Sequence, residues 1–416
     1  MSQQSYDIII IGSGIAGLYS AYKIKKSFPK MRIIVLERNG KPDIGGRAGN
    51  IKFQGTNVVT GAGIGRKRKD KLLIRLLHDL DIPYHEFMVA SNYSHVIDPP
   101  CDVKSIFTKL KSEYREPVDH GKTFKQYAME KLGKTAYQHF IICAGYTDYE
   151  AEGAHTTLHH YGFEDNYGRW TGLSIPWSAL IHTLVQKLGG EQVVHTGRNV
   201  TQIMRGEGGH GQCNFTIVCE NGSRYLGNKV ILATTVSSVR SLLPQFSSIY
   251  RHIHSQPFLR VYGKFSVASM PIIQNYIQGT TVVPGPIHKI IPMNPEKGVY
   301  MIAYTDNRGA MELRNFTENT PANREHFCRL LEGALGIQKT GKIHLLSIKG
   351  VFWEEGTHYY IPLKRSGEPL DNFISMAQRP MDGIAVVGEM ISMNQGWVEG
   401  ALDSVEKVVT KQWIMS

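Results

Sequence analysis

Three glycines, Gly12, Gly14 and Gly17, stand in the spacing GxGxxG directly after the apolar run Ile8 to Ile11. That run, bounded by a polar start and a glycine turn, reads as a buried parallel strand. Ile15 to Lys26 continues with a helical pattern. Each glycine has its own task. Gly12 allows the tight turn, Gly14 lets backbone approach a pyrophosphate, and Gly17 lets helix pack close on strand. The helix N-terminus, with Ile15 and Ala16 in its first turn, faces the negative charge. A second strand, Arg32 to Leu36, ends in Glu37, twenty positions after Gly17. A carboxylate there, with Arg38 beside it, can accept hydrogen bonds from both ribose hydroxyls of an adenosine. GxGxxG alone is weak evidence, because glycine turns recur by chance. Set in strand, turn, helix, strand and acid, it predicts a dinucleotide site.

The next segment decides which dinucleotide. Gly45-Gly46-Arg47 follows directly, and it resembles the second fingerprint of the FAD-dependent amine oxidase superfamily. That group includes monoamine and polyamine oxidases, protoporphyrinogen oxidase and phytoene desaturase. The resemblance implies that Gly45, Gly46 and Arg47 approach the FAD diphosphate. It implies that Gly61, Ala62, Gly63 and Ile64 lie near the flavin, the alternative for each being an ordinary turn into a helix over Asp70 to Leu80. It sets Val200 against the adenine. The closing run, Gly388-Glu389 and then Gln395-Gly396-Trp397-Val398-Glu399-Gly400-Ala401, resembles the family's "GE … GxxxGA" ending. By that resemblance Gly388, Glu389, Trp397, Val398 and Ala401 are cofactor contacts, with Glu389 at the pyrophosphate–ribityl region.

For the reacting end, the resemblance implies an aromatic substrate cage. Tyr359 and Tyr360 stand where the family carries one wall, and Trp397 stands where it carries the other. Monoamine and polyamine oxidases place a lysine near flavin N5. Lys264 is the candidate, with Lys289 and Arg260 as alternatives. Covalent members join the flavin through a cysteine in the loop matching Trp353 to Pro362. No cysteine occurs there, so FAD is expected to be non-covalent. RVYGKF and KIIPMN also resemble the amine-oxidase-like proteins of large DNA viruses, which would make host cytoplasm or a virion the setting.

The elements that must position these residues follow from pattern. Leu173 to Pro176 leads into a helix at Ser178 to Leu188, and a short strand follows at Gln192 to His195. Phe215 to Cys219 and Arg224 to Leu226 flank Asn221-Gly222, a strong hairpin signal. Lys229 to Leu232 reads as another buried strand and Ile384 to Val387 as the last. Between them, His78 to Trp170 is rich in aromatics and histidines and reads as an insertion covering the cofactor. Residues 256 to 307 read as a mixed sheet. A strand over Lys342 to Lys349 then precedes the loop Trp353 to Pro362. The fold class is α/β: a Rossmann-like FAD-binding domain, a parallel sheet with a β-ribbon, and a discontinuous α+β substrate domain with a mixed sheet. We assign 1–78, 176–253 and 363–416 to the first, and 79–175 and 254–362 to the second.

Composition sets the bounds. With 416 residues, 42% of them hydrophobic, the chain can bury a large core. No apolar run is long enough to span a bilayer, and the N-terminus reads as a strand rather than a signal peptide. A cytoplasmic location is expected. Cys101, Cys143, Cys213, Cys219 and Cys328 show no CxxC spacing and suggest reduced thiols. His155, His159 and His160 match no common metal site, so no metal is expected. The formal charge of +11 fits an anionic partner or assembly. Its densest run, Arg66 to Arg75, reads more simply as a solvated helix start, so no nucleic acid is assigned. A positive enzyme also does not obviously attract a cationic polyamine.

The reading that results is an FAD-dependent oxidase of the amine oxidase type. The resemblance implies hydride transfer from a carbon alpha to an amine onto flavin N5, with O2 as acceptor. The products would be an imine, then an aldehyde, and hydrogen peroxide. Its partners are a small-molecule amine and O2, with a homodimer open. Two alternatives stand beside it: a protoporphyrinogen-oxidase or desaturase-like flavoenzyme, and a non-catalytic FAD-binding component of a larger assembly.

Overall fold

The computed structural model describes residues 5–206, 214–338, 341–363 and 369–416. At its centre is a seven-stranded sheet. Strand Ser5–Ile11 lies between Arg224–Leu232 and Ile33–Leu36, parallel to both. Val194–His195 extends the parallel set beyond Ile33–Leu36, and Ile384–Val386 joins Arg224–Leu232 in parallel. The run Ile8 to Ile11 is apolar at every position because both faces are covered. Ile8 and Ile10 pack with helices Ile15–Ser27, Trp177–Leu188 and Val398–Val408, while Ile9 and Ile11 pack with Tyr250 and Phe373 on the other side. Each such buried side chain contributes roughly 1.5–3 kcal/mol relative to exposure.

Arg224–Leu232 is one strand rather than two. Its first residues pair antiparallel with Phe215–Cys219, which pairs antiparallel with Val200–Arg205, forming the β-ribbon. Its last residues enter the parallel sheet.

The second large sheet is six-stranded and mixed. Its order is Leu345–Tyr360, Ile253–Phe265, Val299–Asp306, Lys289–Asn294, Thr280–Val282 and Ser91–Tyr93. All pairs are antiparallel except the last. Leu345–Tyr360 continues for 16 residues, so the stretch from Trp353 is strand and not loop. A hairpin, Asn50–Phe53 and Thr56–Val59, turns on Gln54 and Gly55, both at positive φ. That backbone suits a two-residue hairpin turn.

The segment between His78 and Trp170 does not cover the cofactor cavity described below. Helices Val103–Glu113, Phe124–Leu132, Lys134–Ala144 and Ala154–His160 build their own aromatic core of Phe107, Phe124, Tyr127, Phe140, Tyr149 and Phe163. That core docks on the mixed sheet, where the Thr147 amide donates to the Asp306 carboxylate and Tyr146 meets Tyr304 edge to face. The basic run at Arg66 to Arg75 behaves as a helix start. Arg66 pairs with Asp70, Lys67 with Glu86 and Lys69 with Glu164, and Leu73, Leu76 and Leu77 face inward.

The cysteines depart from expectation. Cys101 and Cys143 form a disulfide, and Cys219 and Cys328 are free and buried. Cys213 lies outside the described residues. The bonded pair is 42 positions apart, a separation that local spacing cannot reveal. Among the described residues no helix is long and apolar enough to cross a membrane.

Candidate active site

A cavity of about 750 Å³ runs between the two large sheets. One end is built by the glycine turn. Gly12 sits at φ +103°, and a Cβ there would collide with the Ala233 carbonyl; one on Gly17 would collide with the Gly12 carbonyl. These two glycines serve helix–strand packing. Gly14 differs: a Cβ on it would meet nothing within 4 Å. Gly14, Gly45 and Gly46 all face the cavity, and Gly45 donates to the Ser13 carbonyl at 3.0 Å. The open space over this cradle is what a diphosphate needs.

Ile15, Ala16, Glu37, Arg38, Arg198, Asn199 and Val200 line the same end. Glu37 is held in place by local donors. Its Oε2 accepts from Ser13 N at 3.0 Å and Ser13 Oγ at 2.6 Å, and its Oε1 accepts from Asn39 N at 2.9 Å. With both lone pairs of Oε2 used and one of Oε1, Oε1 keeps a lone pair for a ribose hydroxyl.

Midway, Glu389 gathers three partners. Arg47 Nη1 stands 2.8 Å from its Oε1, His358 Nδ1 meets the same oxygen, and Gly396 N donates to Oε2 at 2.9 Å. Burial alone would raise this carboxyl, but the charges of His358 and Arg47 outweigh it and hold Glu389 well below the usual range. On its other side the His358 ring lies 3.4 Å from Val236 N through Nε2. Gly388 and Gly396 both sit at positive φ and line the cavity. Helix Val398–Val408 points its N-terminus here, with Trp397, Val398 and Ala401 lining. Trp397 is fixed by its Nε1 donating to Asp70 at 2.7 Å and by edge contact with Trp177.

The far end comes from the mixed sheet. Arg260 pairs across strands with Tyr304, and Phe258 pairs with Trp353. All four line the cavity. The Arg260 guanidinium lies 4.7 Å from the Tyr304 ring centroid, and Phe258 packs on the same ring at 5.2 Å. Trp353 Nε1 donates to the Thr60 carbonyl at 2.8 Å.

Several expected residues are placed elsewhere. Tyr360 is buried in the core beside the parallel sheet and donates to the Ser392 carbonyl, and Tyr359 stacks on His254. Neither lines the cavity, whose share of that strand ends at Thr357. The strand simply runs on, carrying Tyr359 about 7 Å beyond Thr357. Lys264 is also outside: its ammonium donates to the Lys297 carbonyl, four positions and about 13 Å along the strand from Arg260. A bulge between Val261 and Tyr262 separates the two. Lys289 lies over the Tyr146 ring, away from the lining, so Arg260 is the alternative that faces the cavity. Gly61 and Ala62 line it, while Gly63 and Ile64 do not. Gly63 instead accepts from Trp177 Nε1, and Ile64 packs near Gly172. His358, Ser13, Phe258, Tyr304 and Trp353 were not singled out by sequence. Ser13 lies inside the glycine turn itself, where only its contact with Glu37 reveals its role; the roles of the others depend on strand register, for which no local motif exists.

Comparison with known proteins agrees with this geometry. A sequence profile for flavin-containing amine oxidoreductases matches residues 114–409, and one for NAD(P)-binding Rossmann-like domains matches residues 10–80. The chain belongs to the flavin-containing amine oxidoreductases. No curated protein sequence matches it. Among solved structures, a double mutant of putrescine oxidase is similar at 16% identity and TM-score 0.75, covering 99% of each chain. Wild-type putrescine oxidase bound to putrescine is similar at 15% identity and TM-score 0.75, covering 98% of each. These likenesses show a shared fold. FAD is the cofactor of this amine oxidoreductase, and the residues present suit it. The acid Glu37 at one end, the open space over Gly14 and the helix N-terminus at Trp397 match its ribose, diphosphate and ring system in kind and order.

Proposed function

We propose that this flavin-containing amine oxidoreductase oxidises an amine at the carbon alpha to nitrogen and passes the electrons to O2. The observation that carries the reading is the joining of the glycine cradle to an aromatic-walled chamber within one cavity. FAD held there would supply the redox chemistry as the acceptor of a hydride equivalent. Glu37 and Arg38 hold its adenosine end, Gly14, Gly45, Gly46 and Arg47 its diphosphate, and Gly388, Glu389, Trp397, Val398 and Ala401 the remainder. Phe258, Tyr304 and Trp353 orient the substrate and exclude water.

An amine gives up a hydride only when neutral. Apolar walls favour that form by desolvation, and the fixed charge of Arg260 disfavours a second cation beside it. Activity is therefore expected to rise with pH until the bound amine is neutral.

The attachment of FAD is non-covalent in this reading, because no cysteine is among the described residues that line the cavity. Acid precipitation should leave the flavin in the supernatant; yellow colour in the pellet would contradict this. We divide the chain as the sequence suggests, into 1–78, 176–253 and 363–416 for the cofactor and 79–175 and 254–362 for the substrate, with the substrate lining drawn from 254–362 and 79–175 docked behind that sheet. Support comes from a lining drawn from both sheets. The functional test is incubation with a panel of amines under air. One hydrogen peroxide per aldehyde formed is expected, and aldehyde without peroxide would displace O2 as acceptor.

A further inference from the structure

Arg260 is the exception among the charged groups around the cavity. It is only 6% exposed. Among the described residues its Nε has no hydrogen-bond partner, and its contact with an acceptor is a long 3.5 Å from Nη1 to the Thr60 carbonyl. Among the described residues no carboxylate lies within ion-pair distance of it. The other buried or half-buried charges of the lining are matched: Arg47 by Glu389, Glu37 by Ser13 and Asn39, Arg198 by the Tyr225 hydroxyl, and Glu355 by Ser237, while Arg38, Asp43 and Glu354 are exposed to water. A guanidinium stays charged at any working pH. Burying it unpaired costs more than its stacking on Tyr304 returns. Such a group is stable where a ligand completes it.

We propose that Arg260 binds a carboxylate carried by the substrate, so that the site takes carboxylated amines, amino acids in the broad sense, rather than simple diamines. This rests on the amine-oxidation reading and narrows it. The fork of a guanidinium matches a carboxylate with two parallel hydrogen bonds. The strand fixes its direction, because Arg260 alternates with Phe258 on the same face, and Tyr304 opposite holds the guanidinium plane. The three aromatic walls around it suit an organic acid with an apolar body better than a hydrated inorganic anion. A diamine would instead bring a second positive charge toward an unpaired one.

The test uses the FAD-loaded protein and needs no turnover. Benzoate, phenylacetate and hexanoate are titrated while the visible flavin spectrum is followed, with benzamide and benzylamine as matched neutral and cationic probes. At least one carboxylate should perturb the spectrum saturably, at least 30-fold more tightly than benzamide. Arg260→Gln should lose at least 30-fold of that affinity, and Arg260→Lys should lose less. Equal binding of benzoate and benzamide, no binding of any carboxylate, or unchanged affinity in Arg260→Gln would overturn the proposal. So would a lowered flavin midpoint potential in Arg260→Gln with carboxylate affinity intact, which would assign the charge to the cofactor. If Arg260→Gln does not fold, the Arg260→Lys variant and the wild-type comparison of acid with amide decide. An amine that bleaches the flavin while no carboxylate binds sinks this inference alone. Carboxylate binding with no amine oxidised sinks the amine reading instead.

Discussion

The two ends of the cavity are built on different principles. At the cofactor end, backbone does the work. Gly12 and Gly17 are fixed by collisions a side chain would cause, and Gly14 by open space. At the substrate end, side chains do the work. Arg260, Tyr304, Phe258 and Trp353 meet because three neighbouring strands hold one register. A backbone cradle tolerates almost no substitution and can serve one ligand. A cross-strand patch can change its chemistry one residue at a time and keep its fold.

The largest effects should come at the cofactor end, and they should split in two. Gly17→Val forces a side chain into the Gly12 carbonyl and should cost about 3 kcal/mol or more of stability. Gly14→Val meets no protein atom. It should change apoprotein stability by less than about 0.5 kcal/mol yet weaken FAD binding at least 100-fold. Thermal melts with and without FAD separate these outcomes, and equal damage to the apoprotein in both variants would erase the distinction.

Glu389 lies between the two ends and gives an intermediate effect. Its carboxyl is held below the ordinary value of 4.5. The unfolded state therefore takes up protons first as the pH falls, and the stability Glu389 contributes is present above about that value and lost below it. Glu389→Gln should destabilise by about 1–3 kcal/mol at neutral pH, discounted because Arg47 is partly solvated. The gap to wild type should shrink as the pH drops below 4.5. Urea titrations of the apoprotein at pH 7 and pH 4 check this, and a gap that widens toward acid would reverse the assignment.

This contrast also explains what could be read in the sequence. The GxGxxG turn, Glu37, Gly45, Gly46 and the Gly388 to Ala401 segment are local in the chain, and each carries its geometry in its spacing. The substrate end is not local. Arg260 meets Tyr304 across 44 residues of sequence only through sheet pairing. Reading Trp353 to Pro362 as a loop displaced the aromatic wall to Tyr359 and Tyr360, when continuous strand carries both past the cavity. Lys264 lay on the correct strand, but a bulge after Val261 defeats simple alternation. The disulfide between Cys101 and Cys143 was hidden for the same reason.

The smaller effects sharpen the substrate end. Trp353→Ala removes a wall and should slow flavin reduction by amine about tenfold, worth roughly 1.4 kcal/mol. Lys264→Met and Tyr359→Ala should each stay within about twofold of wild type. Stopped-flow absorbance reads all three, and a tenfold loss in Lys264→Met would return that lysine to the reacting centre.

The most direct measurement is anaerobic mixing of the FAD-loaded protein with a panel of amines and amino acids, following flavin absorbance. Bleaching by at least one amine, with colour restored by air and peroxide released, is the predicted result. A yellow protein that dithionite bleaches but no amine does would contradict the account.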